Sequence, residues 1–227
     1  RMLVFFSRII ISPGKIWFYI VHPMFINLIA IAYYFLKNLY HITKINRLFE
    51  LMENIRRFVF TGPESTGKTS LSIGIADYFG FALVKEYARQ YLENLPRAYT
   101  INDVFYIATQ QQLSEQAALA KSDSPVVCDT DLTVIYVWLL YKYGICSKEM
   151  LDEISKSIPD TVYFLCYPDI EWEEDPLREN PDNLLEIFEI YENLLKELGA
   201  RFFVIQSDFD TRFQTCADVI LEITHKM

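Results

Sequence analysis

From Met52 onward, short hydrophobic runs alternate along the chain with longer amphipathic stretches. The hydrophobic runs predict five β-strands, at residues 57–61, 82–85, 125–129, 161–166 and 201–205. The stretches between them have helical spacing and predict helices at 67–79, 86–94, 101–121 (capped by Thr100 or Asn102), 131–143, 147–156, 182–198 and 209–223. Strands that alternate with helices are typical of βαβ units. We therefore predict an α/β fold with three layers around a mostly parallel five-stranded sheet.

The N-terminal residues follow a different pattern. Residues 16–36 contain no charged side chain over a length that can span a bilayer. One interpretation is a membrane-spanning or membrane-surface helix, although Pro23 and the polar residues near it argue against a membrane helix. A non-native extension is the other, because Met52 stands just before the first strand. We leave both open and predict an apolar helical segment at 1–51 and a separate domain at 52–227.

The segment at 167–183 interrupts the alternation of strands and helices. It is polar, contains three prolines and places acidic residues around Trp172 and Arg178. A long connection of this kind between a strand and a helix is typical of a lid over a binding site. An ordinary solvated connection is the alternative.

Composition and charge narrow the class of protein. Residues 1–51 hold six of the 21 Lys and Arg but one of the 30 acids, so the remainder carries 15 basic and 29 acidic residues and a formal charge of −14. Such an acidic domain argues against nucleic-acid binding, which depends on clustered basic side chains. The four cysteines, Cys128, Cys146, Cys166 and Cys216, form no CxxC pair and favour a reduced, cytoplasmic compartment.

Residues 62–69 read GPESTGKT and match the phosphate-binding pattern GxxxxGK[ST]. The match lies between a predicted strand and a predicted helix, which is the context that a P-loop requires. The glycines let backbone N–H groups face a phosphate, Lys68 can reach the β- and γ-phosphates, and the Thr69 hydroxyl can bind Mg²⁺. We therefore predict a P-loop kinase fold that uses ATP and Mg²⁺, with a nucleotide site formed by Gly62, Pro63, Glu64, Ser65, Thr66, Gly67, Lys68, Thr69 and Ser70.

Two carboxylates follow the predicted strand at 125–129. A P-loop needs a second group that orients the metal, and Asp129 stands where that strand ends. We predict that Asp129 binds the metal together with Thr69. Asp131 either contacts the substrate or caps the following helix.

Glu86 follows the second predicted strand and is the candidate general base. A carboxylate at that edge of a parallel sheet can accept the proton of an attacking hydroxyl. Arg89, one helical turn later, is a candidate contact to the acceptor or to the transferred phosphoryl group.

The lid segment and two helices supply further candidates. Arg178 is expected to offset charge in the transition state, with a local ion pair as its alternative role. Trp138 and Trp172 are candidate stacking partners for a ligand ring. The helix at 101–121 is expected to pack through the stripe Tyr106, Gln110, Leu113 and Ala117, although residues 110–112 and Glu115 have the length to reach a substrate.

With these motifs in order, the sequence from about Arg57 to Thr224 resembles the ribosylnicotinamide kinase domain of the NadR family. The resemblance depends on GPESTGKT, KEYARQYL, IATQQQLSEQ, CDTDLTVIYVW and YPDIEWEEDPLREN. It implies transfer of the γ-phosphate of ATP to the 5′-hydroxyl of nicotinamide riboside, in NAD salvage. Glu86 would be the base, and Lys68, Thr69, Asp129 and Arg178 would serve the phosphates and the metal.

Departures from the family limit what the resemblance implies. The only histidines are His22, His41 and His225, and none lies in a His-x-Gly-His motif, so mononucleotide adenylylation is not expected of these residues. Leu184 and Glu186 stand where the family tends to place arginines. Two other hypotheses stay open: a kinase of another small nucleoside or nucleotide, and a membrane-linked ATP-binding regulator.

Overall fold

The computed structural model describes residues 55–224. The predicted apolar segment at 1–51, with its two interpretations, lies outside the described residues. Within the described residues, no helix is both long enough and apolar enough to cross a membrane.

Five parallel strands form one sheet: β1 (Arg57–Thr61), β2 (Ala82–Val84), β3 (Val126–Asp129), β4 (Thr161–Cys166) and β5 (Arg201–Ile205). Their spatial order is β2-β3-β1-β4-β5, so β1 occupies the centre between β3 and β4. In the register, Phe60 of β1 lies opposite both Asp129 and Phe164. All five strands therefore end at the same edge of the sheet, which is where α/β proteins place their ligands.

Within residues 55–224, seven α-helices connect and flank the strands: α1 (Lys68–Phe79), α2 (Tyr87–Glu93), α3 (Ile101–Lys121), α4 (Leu132–Tyr143), α5 (Lys148–Ser157), α6 (Leu184–Glu197) and α7 (Phe209–Thr224). A short 3₁₀ turn, Ile158–Asp160, precedes β4. Each predicted strand and helix is present, with bounds that differ by two residues at most. Thr100, and not Asn102, caps α3, because its side chain and that of Asp103 form a capping box.

The two faces of the sheet bury different side chains. On one face, α1 and α7 pack against phenylalanine rings that include Phe58, Phe60 and Phe164, with Ile75 and Ile220 among their partners. The other face is larger and packs aliphatic side chains against α3, α4 and α6. Because alternate residues of a strand point to opposite faces, Val59 belongs to the second core while its neighbours belong to the first. The three predicted layers are confirmed.

Candidate functional site

The P-loop lies between β1 and α1, with its backbone in a conformation that requires glycine. Gly62 has φ of 127°, and a Cβ there would lie 2.8 Å from the carbonyl oxygen of Cys166. Gly67 has φ of 77° and caps α1, whose first N–H groups have no acceptor within the helix. Lys68 folds back over the loop, and its Nζ donates to the carbonyl oxygen of Pro63. The loop is thus shaped around a concave surface of backbone donors.

A cavity of about 590 Å³ opens above this loop. All nine predicted nucleotide-binding residues, 62–70, line it. Four further predicted site residues line the same cavity, from three different parts of the chain: Glu86, Arg89, Trp138 and Arg178. The fold therefore brings together side chains that are more than 100 positions apart in the sequence.

Two carboxylates flank the P-loop lysine. Burial raises the pKa of the Glu86 carboxyl, and the charge of Asp129 raises it further, while Lys68 and Arg89 lower it. Burial also raises the pKa of Asp129, against a hydrogen bond from the Thr69 hydroxyl and the charge of Lys68. Asp129 and Thr69, the pair predicted to bind a metal, are thus neighbours, although Asp129 is buried and does not line the cavity. A carboxylate and a hydroxyl are oxygen ligands of the kind that Mg²⁺ uses.

The segment at 167–183 lies against the P-loop. The Ser65 hydroxyl accepts a hydrogen bond from the backbone N–H of Glu173 at 2.9 Å and another from Arg178 at 3.1 Å. Glu64 accepts from the backbone N–H groups of Glu179 at 2.9 Å and of Asn180 at 3.2 Å. Four hydrogen bonds thus join the two segments, and they hold Arg178 at the mouth of the nucleotide site.

Arg89 joins this segment to the start of α2. Its guanidinium lies 2.9 Å from the Asp175 carboxylate and 3.5 Å from that of Glu93. Burial opposes its charge, but hydrogen bonding to Asp175 holds the pKa of Arg89 above its usual value. Sequence reasoning missed Asp175 as the partner, because the two residues are far apart in the chain.

The far end of the cavity is aromatic and polar. The Trp138 indole donates to the Tyr99 hydroxyl at 3.2 Å, and the two rings meet edge to face with centroids 5.1 Å apart. Lys142 donates to the same hydroxyl and lies 2.7 Å from the Glu179 carboxylate. Tyr141 and Tyr191 complete this wall. Except for Trp138, sequence reasoning missed these residues, because no motif marks them.

Two predicted substrate contacts are not in the cavity. Asp131 is 2 % exposed and caps α4: it accepts from the Thr133 backbone N–H at 2.9 Å, and the Tyr163 hydroxyl donates to it at 2.9 Å. The structure therefore assigns Asp131 to helix capping. Trp172 does not line the cavity either; Arg178 lies over its ring at 5.9 Å from the centroid. The partner of the Trp172 ring in this structure is thus a lid side chain.

The residues of α3 whose side chains are long enough to reach a substrate do not line the cavity. Gln111 and Glu115 are buried, at 2 % and 5 % exposure, and contact other protein groups beneath the site. Gln112 and Glu115 line a smaller cavity of about 210 Å³ away from the P-loop. The helix does pack against the domain, but not through the predicted stripe. Val104, Ile107 and Ala108 are buried, whereas Tyr106, Leu113 and Ala117 are exposed.

A buried arginine supports the P-loop from below. Arg212 on α7 is 2 % exposed and donates to the carbonyl oxygens of Thr66 and Tyr167, each at 2.9 Å. It also pairs with Asp169. Sequence reasoning missed it, although a lone arginine at a position that the helical pattern makes buried was a usable signal.

Comparison with known proteins identifies the domain. A family model described as an AAA domain matches residues 57–212, which is more than half of the chain. Among curated proteins there is no match.

Solved structures share the fold at low sequence identity. NadR protein in complex with NR has a TM-score of 0.60 at 24 % identity, over 79 % of this chain and 54 % of that one. NadR protein in complex with NAD and AMP-PNP has a TM-score of 0.56, also at 24 % identity, over 79 % of this chain and 52 % of that one. Thymidylate kinase from Ehrlichia chaffeensis has a TM-score of 0.54 at 15 % identity, over 74 % of this chain and 99 % of that one. The chain thus has the P-loop kinase fold, resembles NadR as expected, and spans about half of the length of the NadR chains.

Proposed function

This chain belongs to the AAA domain family, and on that premise we propose that it is an ATP-dependent kinase that phosphorylates the 5′-hydroxyl of nicotinamide riboside to give nicotinamide mononucleotide. One observation carries the proposal. A single cavity joins a complete P-loop to a carboxylate, Glu86, and then to a wall of aromatic and acidic side chains. A phosphoryl donor and a small acceptor can therefore meet within one enclosed space.

The nucleotide end suits the phosphates of ATP. The conformations of Gly62 and Gly67 turn backbone N–H groups of the loop inward, and the start of α1 adds the positive end of a helix dipole. Lys68 is free to exchange the Pro63 carbonyl for a phosphate oxygen. Thr69 and Asp129 would hold Mg²⁺, which would neutralise negative charge on the phosphates.

The acceptor end suits a cationic ring. Nicotinamide riboside carries a positive pyridinium, and aromatic faces attract cations by about 0.5–2 kcal/mol. Tyr99, Trp138 and Tyr141 line this end, together with an ion pair between Glu179 and Lys142 at 2.7 Å. The fold is shared with NadR protein in complex with NR, and this likeness is the reason for proposing nicotinamide riboside as the acceptor.

Glu86 is the residue proposed to take the proton from the attacking hydroxyl. It lines the cavity between the P-loop and the acceptor end, and its raised pKa makes it a stronger base than an ordinary carboxylate. Arg178 and Arg89 would stabilise negative charge on the transferred group, since both line the cavity beside the lid segment.

The test is acceptor-dependent turnover of the full-length chain with ATP and Mg²⁺. ADP release is measured with nicotinamide riboside and with a panel of other nucleosides and nucleotides, thymidine monophosphate among them. We expect the highest kcat/KM for nicotinamide riboside, and we expect Lys68→Ala to abolish turnover with every acceptor.

Two results would contradict the proposal in different ways. Higher kcat/KM for another nucleoside would keep the kinase and replace its substrate. Slow ATP hydrolysis that no acceptor stimulates would remove the kinase and favour a regulator that binds ATP.

A further inference from the structure

Gln111 on α3 lies beneath the cavity and contacts two segments that carry proposed catalytic groups. Its side chain is 2 % exposed. The Oε1 atom accepts a hydrogen bond from the Tyr87 backbone N–H at 2.9 Å. The Nε2 atom donates to the Thr130 carbonyl oxygen at 3.3 Å and to Glu115 Oε1 at 3.3 Å. Tyr87 directly follows Glu86, and Thr130 directly follows Asp129.

These partners allow one orientation of the Gln111 amide. A backbone N–H can only donate, so the amide oxygen must face Tyr87. Carbonyl oxygens accept, so the amide nitrogen must face Thr130. Both polar atoms of the amide are hydrogen-bonded inside the protein. Breaking either hydrogen bond would leave a buried polar group without a partner, which costs free energy. Gln111 is thus a fixed bridge between the two segments.

Both segments need such a restraint. Tyr87 is the first residue of α2, so its N–H has no acceptor within the helix. The hydrogen bond to Gln111 therefore fixes the position of the start of α2 and of the preceding Glu86. Thr130 has φ of 71°, a left-handed conformation that is unfavourable for a residue other than glycine. Its N–H donates to the Phe60 carbonyl at 3.1 Å, and its own carbonyl is held by Gln111.

The two carboxylates on these segments repel each other. The charge of Asp129 disfavours ionisation of Glu86, whereas the charge of Lys68 favours it more strongly, so the spacing of these groups matters for the ionisation of Glu86. We propose that Gln111 is a positioning residue, which sets the distance between Glu86 and Asp129 by tying Tyr87 to Thr130. This inference rests on the proposed function, in which Glu86 takes a proton and Asp129 helps to hold the metal.

A second layer holds Gln111 itself. Glu115, one turn along α3, accepts from the Gln111 amide and lies 3.1 Å from the Arg57 guanidinium. Arg57 stands at the start of β1, where its guanidinium also donates to the Thr161 hydroxyl at 2.7 Å. The bridge is therefore anchored in the central strands of the sheet.

The experiment replaces the amide with an apolar side chain of similar length, Gln111→Met, in the full-length chain. Gln110→Met on the same helix is the matched control, since Gln110 does not line the cavity. Kcat and KM are measured for ATP and for the acceptor, in the wild-type and in the Glu86→Gln background. Hydrogen exchange of the Tyr87 amide is measured without any substrate.

We expect Gln111→Met to lower kcat by about tenfold to a hundredfold, because a displacement of about 1 Å in a catalytic group has effects of this size. KM for ATP should stay within about twofold, since the P-loop is untouched. In the Glu86→Gln background, Gln111→Met should lower kcat little further. Exchange at Tyr87 should become faster in Gln111→Met and stay unchanged in Gln110→Met.

Gln111→Glu provides a second variant if Gln111→Met does not fold. It keeps the volume and the acceptor for Tyr87 but loses the donor to Thr130, so kcat should fall while exchange at Tyr87 changes little. An unchanged kcat in either variant, an equal loss in Gln110→Met, or a full additional loss in the Glu86→Gln background would overturn the inference. If the wild type phosphorylates no acceptor but exchange at Tyr87 still responds to Gln111→Met, the bridge stands and the proposed function fails.

Discussion

The two ends of the cavity are built in different ways. The nucleotide end is formed by nine consecutive residues, 62–70, on the loop after β1 and the first turn of α1. The acceptor end takes its side chains from α2, α4, α6 and the lid segment, and its polar contacts join Tyr99, Lys142 and Glu179 across the chain. The first end is thus a local structure, and the second exists only when distant segments meet. Changes at the two ends should accordingly have different signatures.

The largest expected effect is at the junction between the ends. Glu86→Gln should lower kcat by about 100-fold or more, because it removes the base but keeps the volume of the side chain. The dissociation constants of ATP and of the acceptor, measured by calorimetry, should change little. A wild-type kcat would exclude Glu86 as the base.

A second prediction tests whether Asp131 stabilises the fold as a helix cap and contacts neither the nucleotide nor the acceptor. Asp131→Ala should reduce the free energy of unfolding by about 1–3 kcal/mol, because α4 loses its cap and the Tyr163 hydroxyl loses its acceptor. KM for the acceptor should stay at the wild-type value. Urea denaturation and steady-state kinetics on the same preparation measure the two quantities, and a raised KM with unchanged stability would restore a substrate contact.

At the acceptor end, Trp138→Ala should raise KM for the nucleoside by about tenfold through loss of aromatic contact area and cation attraction. KM for ATP should stay the same, and Trp138→Phe should recover part of the loss. Activity across the nucleoside panel is the measurement. An equal decrease for every acceptor, charged or neutral, would argue against recognition of a cationic ring.

The smallest effect concerns the buried Glu115 beneath the cavity. Burial, together with the charge of Asp131, outweighs the ion pair with Arg57 and raises the pKa of Glu115 to about 7. Because this value is above that of an unfolded glutamate, the folded protein binds more protons between pH about 4.5 and about 7. The stability contributed by this group is therefore present at low pH and is lost as pH rises through that window.

Thermal denaturation across the window checks this sign. The wild type should lose more stability than Glu115→Gln between pH about 4.5 and about 7, because the amide does not titrate. Glu189→Gln, a change of an exposed residue on α6, is the control and should follow the wild type. Parallel curves for the wild type and Glu115→Gln would contradict a raised pKa at this position.

The sequence alone determined the alternation of strands and helices, since short hydrophobic runs and capping residues depend on neighbours within a few positions. It also determined the P-loop, because the Gly62 and Gly67 conformations and the position of Lys68 are properties of one short segment. The edge of the sheet that gathers Glu86 and Asp129 followed from parallel strands ending together. For these features, local physics and the final fold agree.

Only the tertiary structure decided which side chains complete the site. Asp131 and Asp129 are two positions apart, yet one caps α4 in the interior and the other contacts Thr69. Trp172 and Trp138 are both aromatic, yet only Trp138 lines the cavity. Gln111 and Arg212 gain their roles from partners that no spacing rule connects to them. Hydrogen bonds between distant segments depend on the packing of whole helices, so they emerge only when the chain has folded.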